Sequence, residues 1–460
     1  MTAQEHREAY IPFRRADLID MCIEDGKLPA EQAKTFREFC EILSAYYHFK
    51  FHAFVETLKQ NYIPFDPTED QQLRVMPTPD QQKKMLETVV QSFRHVLESA
   101  NYQPLSDSLL KQAFAETSLI DLRTEVDFDD MDAVVCYYRG DTSRIIRYKR
   151  FFKKLQKTVS VFERVALLVK FKDADHFRVK KINPKRLKFS PGKIYVYLYK
   201  NIPQFDIELL FPNVKTSMTW KDRLLFWVPT VGAVIPLVLR ILPNLLLIIG
   251  IVFFFLGISG VLRSLGVSEE TAQDVLPILV ASMSVAIALG GFAFKQYSTY
   301  QTKKIRFQKN VTDTLFFRNL ANNRGVFQLL IDAAEEEECK EIILVYYHLL
   351  TSPVPLTTKQ LDAAVEQWML DKFKVPINFD IQNPLRNLAL IQGQLPPSVL
   401  APDSAAEAED SIKDSVKNQV ALFRYDSEGY CNVLPLSQAK MLLDYVWDHA
   451  FTYSSPRPKA

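Results

Sequence analysis

The sequence predicts an α+β membrane protein, and three observations support this prediction. Two long apolar runs without a charge lie in the middle of the 460-residue chain. Apolar residues at helical spacing dominate both flanking regions, and the stretch from about residue 132 to 200 alternates with the period of two that is typical of β-strands. We therefore expect an N-terminal helical region, a small basic β-rich domain, a two-helix transmembrane hairpin and a C-terminal winged-helix-like α+β domain.

Changes in composition and periodicity along the chain predict the domain boundaries. We place the N-terminal helical region at 1–130, the basic β-rich domain at 131–215, an interfacial apolar segment at 216–240, the transmembrane hairpin at 241–295 and the C-terminal domain at 296–460. The five cysteines are scattered singly and no CxxC occurs, which favours a reducing compartment and argues against both a disulfide framework and a zinc ribbon. The N-terminal residues contain no apolar run, so we expect no secretory signal or organellar leader.

Residues 30–62 predict one long amphipathic helix with an aromatic stripe that faces the core. His48 and His52 stand four residues apart on the opposite side, with carboxylates nearby. Such a pair can form a metal face. The pattern favours a solvated helix surface, because metal sites usually require a dry and supported environment. A second helix is expected over 81–100.

The β-rich domain contains a strong excess of positive charge. Residues 139–200 hold 19 Lys or Arg against 4 Asp or Glu, whereas residues 331–460 hold 11 against 19. Strands are expected at 132–140, 163–172 and 193–200, with a turn at Gly140-Asp141. The candidate lipid-facing residues are Arg144, Arg147, Lys149, Arg150, Lys153, Lys154, Lys185, Arg186 and Lys188. Anionic lipid headgroups are the favoured partner, neutralisation of the acidic C-terminal region is the alternative, and nucleic acid is disfavoured.

The hairpin prediction rests on the uncharged runs 241–262 and 275–294, each long enough to cross a bilayer as a helix. Lysines and arginines on the outer flanks predict that both large flanking regions face the cytoplasm. The segment 224–239 is interpreted as interfacial, with a third span as the alternative. A ridge of small residues favours packing within the hairpin, with a homodimer seam as the alternative. Its members are Ser282, Ala286 and Gly290.

The C-terminal domain is predicted to follow a winged-helix-like order of helices, a hairpin at 421–436 and a closing helix. A disordered loop is expected at 395–415 because its composition is of low complexity. A DNA-reading winged helix is normally basic, so the local net charge of −8 favours protein contacts instead.

The run of glutamates in "DAAEEEECKEIIL", residues 332–344, is the strongest candidate for chemistry. Projection onto a helix places Glu335 and Glu338 on the buried stripe, and it places Glu337 and Glu341 outside. An inward ExxE pair can bind a metal, act as an acid and base, or pair with arginines. A helix break near Ala334 would instead leave all four glutamates of the run exposed to solvent. The pattern favours the structural alternatives. No HExxH, GxSxG, GxxxxGK[ST] or GxGxxG occurs.

Several stretches together resemble the transmembrane protein 143 family, a domain family of unknown function found in cyanobacteria and plants, with a mitochondrial relative in animals. They are "AYIPFRRADLI", "FSPGKIYVYLYKNIPQFDIELLFPN", "MTWKDRLLFWVP", "RFQKNVTDTLFFRNLANNRGVF", "DAAEEEECKEIILVYYHLL" and "INFDI". The resemblance implies an integral membrane protein of bacterial, most simply cyanobacterial, origin. It implies no reaction and no catalytic residues.

The expected function is that of a non-enzymatic adaptor anchored in a bacterial inner or thylakoid membrane, without a cofactor. Its expected partners are the lipid bilayer with its anionic headgroups and a protein, with a homo-oligomer left open. A membrane enzyme that uses Glu335 and Glu338 is the alternative. A channel or transporter is disfavoured because the spans contain no ionisable residue.

Overall fold

The structure is a computed structural model, and it describes the chain in segments. These are residues 8–69, 71, 73–105, 122–150, 153–183, 187–218, 315–395 and 419–450, with scattered helical positions between 280 and 312. The chain divides into two compact units. The first consists of Met1–Leu110, Asp129–Gln204 and Asn319–Ala460, and the second of Lys111–Phe128 and Phe205–Arg318.

Three helices form the N-terminal part of the first unit: α1 (Arg15–Glu24), α2 (Ala30–Tyr62) and α3 (Pro79–Ser99). The predicted helix at 30–62 is confirmed, and its apolar stripe from Phe36 to Tyr62 is buried. Thr78 caps α3 in a capping box with Gln81, which satisfies two backbone N–H groups at the helix start.

A five-stranded antiparallel sheet follows, with the order β1-β3-β4-β5-β7. Its strands are β1 (Gln103–Pro104), β3 (Met131–Arg150), β4 (Lys153–Phe171), β5 (Ile194–Pro203) and β7 (Asn319–Asn322), and a short helix, α4 (Ala174–Val179), lies between β4 and β5. The predicted turn at Gly140-Asp141 is wrong. Strand β3 continues through Gly140 at a positive φ of 75°, in unchanged register with β4 on either side.

Strands β3 and β4 extend beyond the rest of the sheet. Strand β5 pairs with β4 only from Val161 to Lys170, and β1 pairs with β3 only at Tyr137 and Tyr138. Residues 144–150 therefore pair with 153–159 in a two-stranded ribbon that no third strand joins within the described residues. We call this ribbon the basic arm.

The C-terminal part of the first unit begins with α5 (Arg324–Thr351), α6 (Thr358–Phe373) and α7 (Gln382–Leu390). Short strand pairs follow, and α8 (Leu436–Asp448) is the last helix among the described residues. The strands are β8 (Gln392–Gln394), β9 (Gln419–Ala421), β10 (Phe423–Tyr425) and β11 (Cys431–Val433). The predicted hairpin is present as β10–β11, and Leu356 forms a bridge to Cys431. The helix, hairpin and helix order agrees with the prediction, while the predicted disordered loop at 395–415 lies almost wholly outside the described residues.

One hydrophobic core joins these parts. It contains the stripe of α2, one face of the sheet with Val135, Leu168 and Val196, and the middle of α5. The predicted domain boundaries stay predictions, but the described N-terminal, sheet and C-terminal residues of the first unit contribute to the same core.

The second unit contains a small antiparallel pair, β2 (Leu122–Glu125) with β6 (Lys215–Met218). The amide of Asn213 donates a hydrogen bond to the backbone oxygen of Asp127 at 2.7 Å, next to this pair. Within this unit, Arg318 lies 3.9 Å from Asp206.

The described residues include no helix that is both long and apolar enough to cross a bilayer. This finding contradicts the predicted transmembrane hairpin, the multi-pass topology, the membrane localisation and the membrane-anchored function. The prediction rested on the apolar runs, on the basic residues that flank them and on the family resemblance, but a run of apolar residues can be buried in protein as well as in lipid. The run 241–262, most of 275–294 and the segment 224–239 lie outside the described residues.

Candidate functional site

Helix α5 is buried on all sides in its second half, over the stretch 337–348. It packs against α1, α2, α3, α6 and α7, and every residue from Glu337 to His348 is buried. Glu337 and Glu341, predicted to point outward, are only 2% and 3% exposed. The prediction failed because it assumed one buried stripe. The helix is continuous through Ala334, so the alternative of a helix break near this residue is also wrong.

The acidic residues of α5 hold an N-terminal segment, residues 8–15, which we call the N-terminal strap and whose last residue begins α1. The backbone N–H of Ile11 donates to Glu337 Oε2 at 3.2 Å, and that of Arg15 donates to Glu336 Oε1 at 2.6 Å. At its other end, Glu8 forms a parallel bridge with Ile377 and accepts a hydrogen bond from the N–H of Asp141 at 2.9 Å. Carboxylates thus satisfy backbone donors that would otherwise lack partners.

Lys340 completes the attachment of the strap. Its ammonium donates to the backbone oxygens of Ile11 at 2.6 Å and Phe13 at 3.1 Å, and to the carboxylate of Glu337. Lys340 is 1% exposed, so this cation is buried with all three of its donors used. A buried charge is tolerated only when it is paired and hydrogen-bonded in this way.

A cleft of about 440 Å³ opens beside the strap. The guanidinium of Arg139 lies 3.9 Å from the ring centre of Tyr10, and the Lys340 ammonium lies 5.1 Å from the same ring. Glu336 and Glu337 contribute carboxylates to the cleft lining. Positive and negative side chains are mixed along this lining. Lys340, Glu336 and Glu337 form hydrogen bonds with the strap backbone, and Arg139 contacts the Tyr10 ring of the strap.

Two further buried carboxylates receive amide hydrogen bonds. Asn101 donates to Glu341 at 2.9 Å, and Asn387 donates to Glu338 at 3.2 Å. The pKa of Glu341 is raised to about 8, mainly by burial and also by the neighbouring carboxylates of Glu337 and Glu338, whereas the Asn101 amide opposes the shift. Burial also raises the pKa of Glu337, and Lys340 opposes that rise.

The structure separates the predicted pair of Glu335 and Glu338. The Glu338 carboxylate bonds to Asn387, while Glu335 lies 2.9 Å from Nδ1 of His48 and 3.5 Å from the guanidinium of Arg15. The two carboxylates therefore do not converge on one point. Glu335 instead meets His48, a candidate that the sequence placed in a different site.

In the part of the chain that the structure describes, no group of three or more His, Cys, Asp or Glu side chains is arranged to hold a metal ion. His48 and His52 are both exposed on α2, as the sequence predicted. The five cysteines are free and buried, as expected for a protein without disulfides. Burial raises the pKa of the Cys339 thiol to about 12, which disfavours the thiolate that nucleophilic chemistry requires.

Six of the candidate lipid-facing residues belong to the basic arm, and the strand register gives the residue that lies opposite each of them. Lys149 lies opposite Lys154, and Arg150 lies opposite Lys153. Lys188 is exposed in a bend before β5, while Lys185 and Arg186 lie outside the described residues.

The predicted ridge of small residues falls mostly outside the described residues, where Ser282 and Ala286 lie. Gly290 is described, and a Cβ added there would meet no atom within 4 Å. The close helix contact expected at Gly290 is therefore not found among the described atoms.

Sequence reasoning missed the central role of Lys340, Arg139 and Tyr10. A signal for Lys340 was available, because a lysine three residues after Glu337 can pair with it on one helix face. No local signal pointed to the strap, because its partners lie more than three hundred residues away in the chain.

The fold and site define an α+β protein with a buried ionic attachment between its N-terminal strap and a central helix. Residues 162–325 match a family model described as "Protein of unknown function (DUF3754)". This match covers less than half of the chain, from within β4 to the start of α5. No solved structure matches the chain. The resemblance to the transmembrane protein 143 family stays a prediction.

Proposed function

We propose that the protein is a non-catalytic binding protein that docks on an anionic phospholipid surface through the basic arm. The observation that supports this proposal most directly is the charge of the arm. Residues 144–157 contain seven Lys or Arg and no Asp or Glu. Each basic residue close to an anionic lipid surface contributes about 1 kcal/mol of binding free energy. Such contact is peripheral and requires no helix that crosses the bilayer.

The pairing of the arm supports an anionic partner. Like charges at directly opposite positions destabilise an antiparallel pair. The register places two such pairs, Lys149 with Lys154 and Arg150 with Lys153, next to each other at the distal end of the ribbon. A two-stranded ribbon is marginally stable by itself. The phosphate groups of an anionic surface would offset this concentration of like charge, so lipid binding should stabilise the strand pairing of the arm.

The composition of the arm favours lipid over nucleic acid. Large apolar and aromatic residues are interspersed with the basic ones, among them Ile145, Ile146, Tyr148 and Leu155. A membrane interface accommodates both types, because apolar residues enter the headgroup boundary while cations remain at the phosphates. A nucleic acid uses the charges and aromatic rings, but it gains little from isoleucine and leucine.

The carboxylates of α5 support a structural rather than a catalytic role. Glu336 and Glu337 bind the strap backbone, Glu338 and Glu341 accept amide hydrogen bonds, and Glu335 contacts His48 and Arg15. These contacts occupy the groups that an acid–base mechanism would need to present to a substrate.

A vesicle-binding experiment on the full chain tests the proposal. Wild-type protein should bind vesicles of phosphatidylserine and phosphatidylcholine, with affinity that falls between 50 and 500 mM salt, and it should not bind vesicles of phosphatidylcholine alone. The double variant Arg150→Gln/Lys153→Gln should bind roughly 30-fold more weakly, which corresponds to about 2 kcal/mol.

The matched control is Lys83→Gln/Lys84→Gln, which makes the same change in net charge on the exposed face of α3. It should retain binding within about twofold, because these lysines are not part of the arm. Equal loss in both double variants would contradict the proposal, since binding would then follow net charge alone. Tighter binding to single-stranded or duplex nucleic acid than to the vesicles would identify a different partner.

A further inference from the structure

We propose that His48 and His52 form a surface chelate on α2 for a borderline divalent cation of the zinc class, with Glu335 of α5 as its supporting carboxylate. The cation would link the two imidazoles across one turn of the helix. This site is separate from the strap and from the basic arm.

The spacing of the two histidines is that of a helical chelate. Helix α2 is continuous from Ala30 to Tyr62, so residues 48 and 52 lie on the same face, one turn apart. Their Cβ atoms are then roughly 6 Å apart, within reach of one metal ion. Both residues are exposed, and the His48 side chain is 70% exposed, so an ion can approach from solvent.

The contact with Glu335 provides the independent observation that points to a ligand. Its carboxylate lies 2.9 Å from His48 Nδ1, while its own side chain is only 12% exposed. A neutral imidazole that donates from Nδ1 leaves the lone pair of Nε2 directed away from the carboxylate. Histidines that ligate metals usually show this arrangement, in which a carboxylate holds the ring and makes the ligating nitrogen more basic.

The carboxylate is itself held in position. Arg15, at the first residue of α1, places its guanidinium 3.5 Å from Glu335, and its backbone N–H bonds to Glu336. Glu335 therefore belongs to a fixed network that joins the strap, α2 and α5. A fixed partner orients the His48 ring before any ion arrives, which lowers the entropic cost of binding.

The chelate supplies two protein ligands. Glu56 lies one further turn along α2, but its carboxylate pairs with Lys59 at 3.0 Å, so we leave it out of the ligand set. Among the described side chains, no third His, Cys, Asp or Glu joins the two histidines in a metal-binding group. Water completes the coordination of a four-coordinate ion. The simpler explanation is that His48 and Glu335 form only a contact between α2 and α5.

Calorimetric titration of the full chain with ZnCl2 separates the two explanations. The wild type should bind one zinc ion per chain, and His52→Ala should weaken binding at least about 100-fold, because a single imidazole is a poor ligand. Glu335→Gln should keep the stoichiometry and weaken binding about 10- to 100-fold. His449→Ala, an exposed histidine at the end of α8, should bind zinc as the wild type does.

Melting temperatures distinguish a loss of zinc binding from a loss of folding. His52 is exposed, so His52→Ala should melt at the wild-type temperature, as measured without zinc. Addition of zinc should raise the melting temperature of the wild type and of His449→Ala but not that of His52→Ala, as expected when an ion binds the folded state. The proposal is wrong if the wild type binds no zinc, or if His52→Ala binds it as tightly as the wild type.

Discussion

The side chain of Lys340 joins two distant parts of the chain through a single ammonium group. It contacts Glu337 on its own helix and two backbone oxygens of the N-terminal strap. The pair is almost completely buried, with each side chain 2% exposed. At this depth the loss of either partner leaves an uncompensated charge, whereas a surface pair is largely screened by water.

Replacement of Lys340 by methionine should therefore lower the free energy of unfolding by about 3–5 kcal/mol. Methionine keeps most of the length of the side chain but leaves the Glu337 carboxylate and two carbonyls without their donor. The matched control is Lys440→Met, which removes a half-exposed partner of Glu38 and should cost less than about 1 kcal/mol. Urea unfolding of both variants measures the difference, and similar costs would show that the Lys340 network is not significant for stability.

The carboxyl group of Glu341 should make stability depend on pH. Burial raises its pKa from an ordinary value near 4.5 to about 8 in the folded protein. The unfolded chain loses this proton first, so stability should fall as the pH rises from about 4.5 to about 8, at about 1.4 kcal/mol per pH unit from this group. Above that range the slope from Glu341 should disappear.

Glu341→Gln removes this titration while it keeps the hydrogen-bonding shape of the side chain. The variant should gain stability relative to the wild type as the pH increases from 5 to 8.5, in urea unfolding curves recorded at several pH values. Parallel pH profiles for the two proteins would mean that the Glu341 carboxyl is already ionised in the folded state at low pH.

At the scale of single elements, the sequence predicted α2 well and the orientation of α5 poorly. An amphipathic helix such as α2 shows its buried face directly in its apolar stripe. Helix α5 is surrounded by other elements, so its charged residues are buried as well as its apolar ones. Periodicity cannot distinguish a buried glutamate from a solvated one when the partners are backbone groups elsewhere in the chain. The contact of His48 with Glu335 could not be predicted for the same reason.

Strand β3 shows a comparable limit. Gly140 followed by Asp141 is a common turn signal, but here the glycine lies inside a twenty-residue strand. A Cβ at position 140 would approach Glu163 Cγ to 2.5 Å and Cβ to 2.6 Å, at a positive φ. Glycine is required at this position because Glu163 on β4 leaves no space for a side chain. No local sequence pattern reveals this contact.

Gly140→Ala should accordingly destabilise the protein more than Gly26→Ala. Both glycines have a positive φ, 75° and 76°, but a Cβ at Gly26 meets no atom within 4 Å. Backbone strain alone should cost about 1 kcal/mol at Gly26, while the contact with Glu163 adds roughly 1–3 kcal/mol at Gly140. Thermal unfolding compares the two variants directly, and equal costs would indicate that β4 yields freely around the new methyl group.

At the scale of the whole molecule, the first unit has one core rather than separate ones. Residues from α2, β4 and α6 all contribute to it, together with Ile11 of the strap. The sequence predicted most of the helices and strands of this unit, but it did not predict that they share one core. The packing of segments that are distant in the chain depends on contacts that composition does not encode.

A shared core predicts a shared response to a mutation in the strap. Ile11 is completely buried, so Ile11→Ala should cost about 2–5 kcal/mol. Amide hydrogen exchange should then accelerate by a similar factor in α2, β4 and α6, whereas Pro12→Ala, at an exposed position, should change it little. Faster exchange confined to the strap would show that this segment opens independently of the core.

The N-terminal strap also has a consequence for biosynthesis. Ile11 is separated by 326 positions from Glu337 and by 329 from Lys340, the groups that bind its backbone. A ribosome that adds roughly 5–20 residues per second delivers the strap tens of seconds before α5 exists. Throughout that interval the nascent chain carries Ile11 and the aromatic stripe of α2 without their partners. The early part of the polypeptide is thus a natural client for chaperones until translation has passed the glutamates.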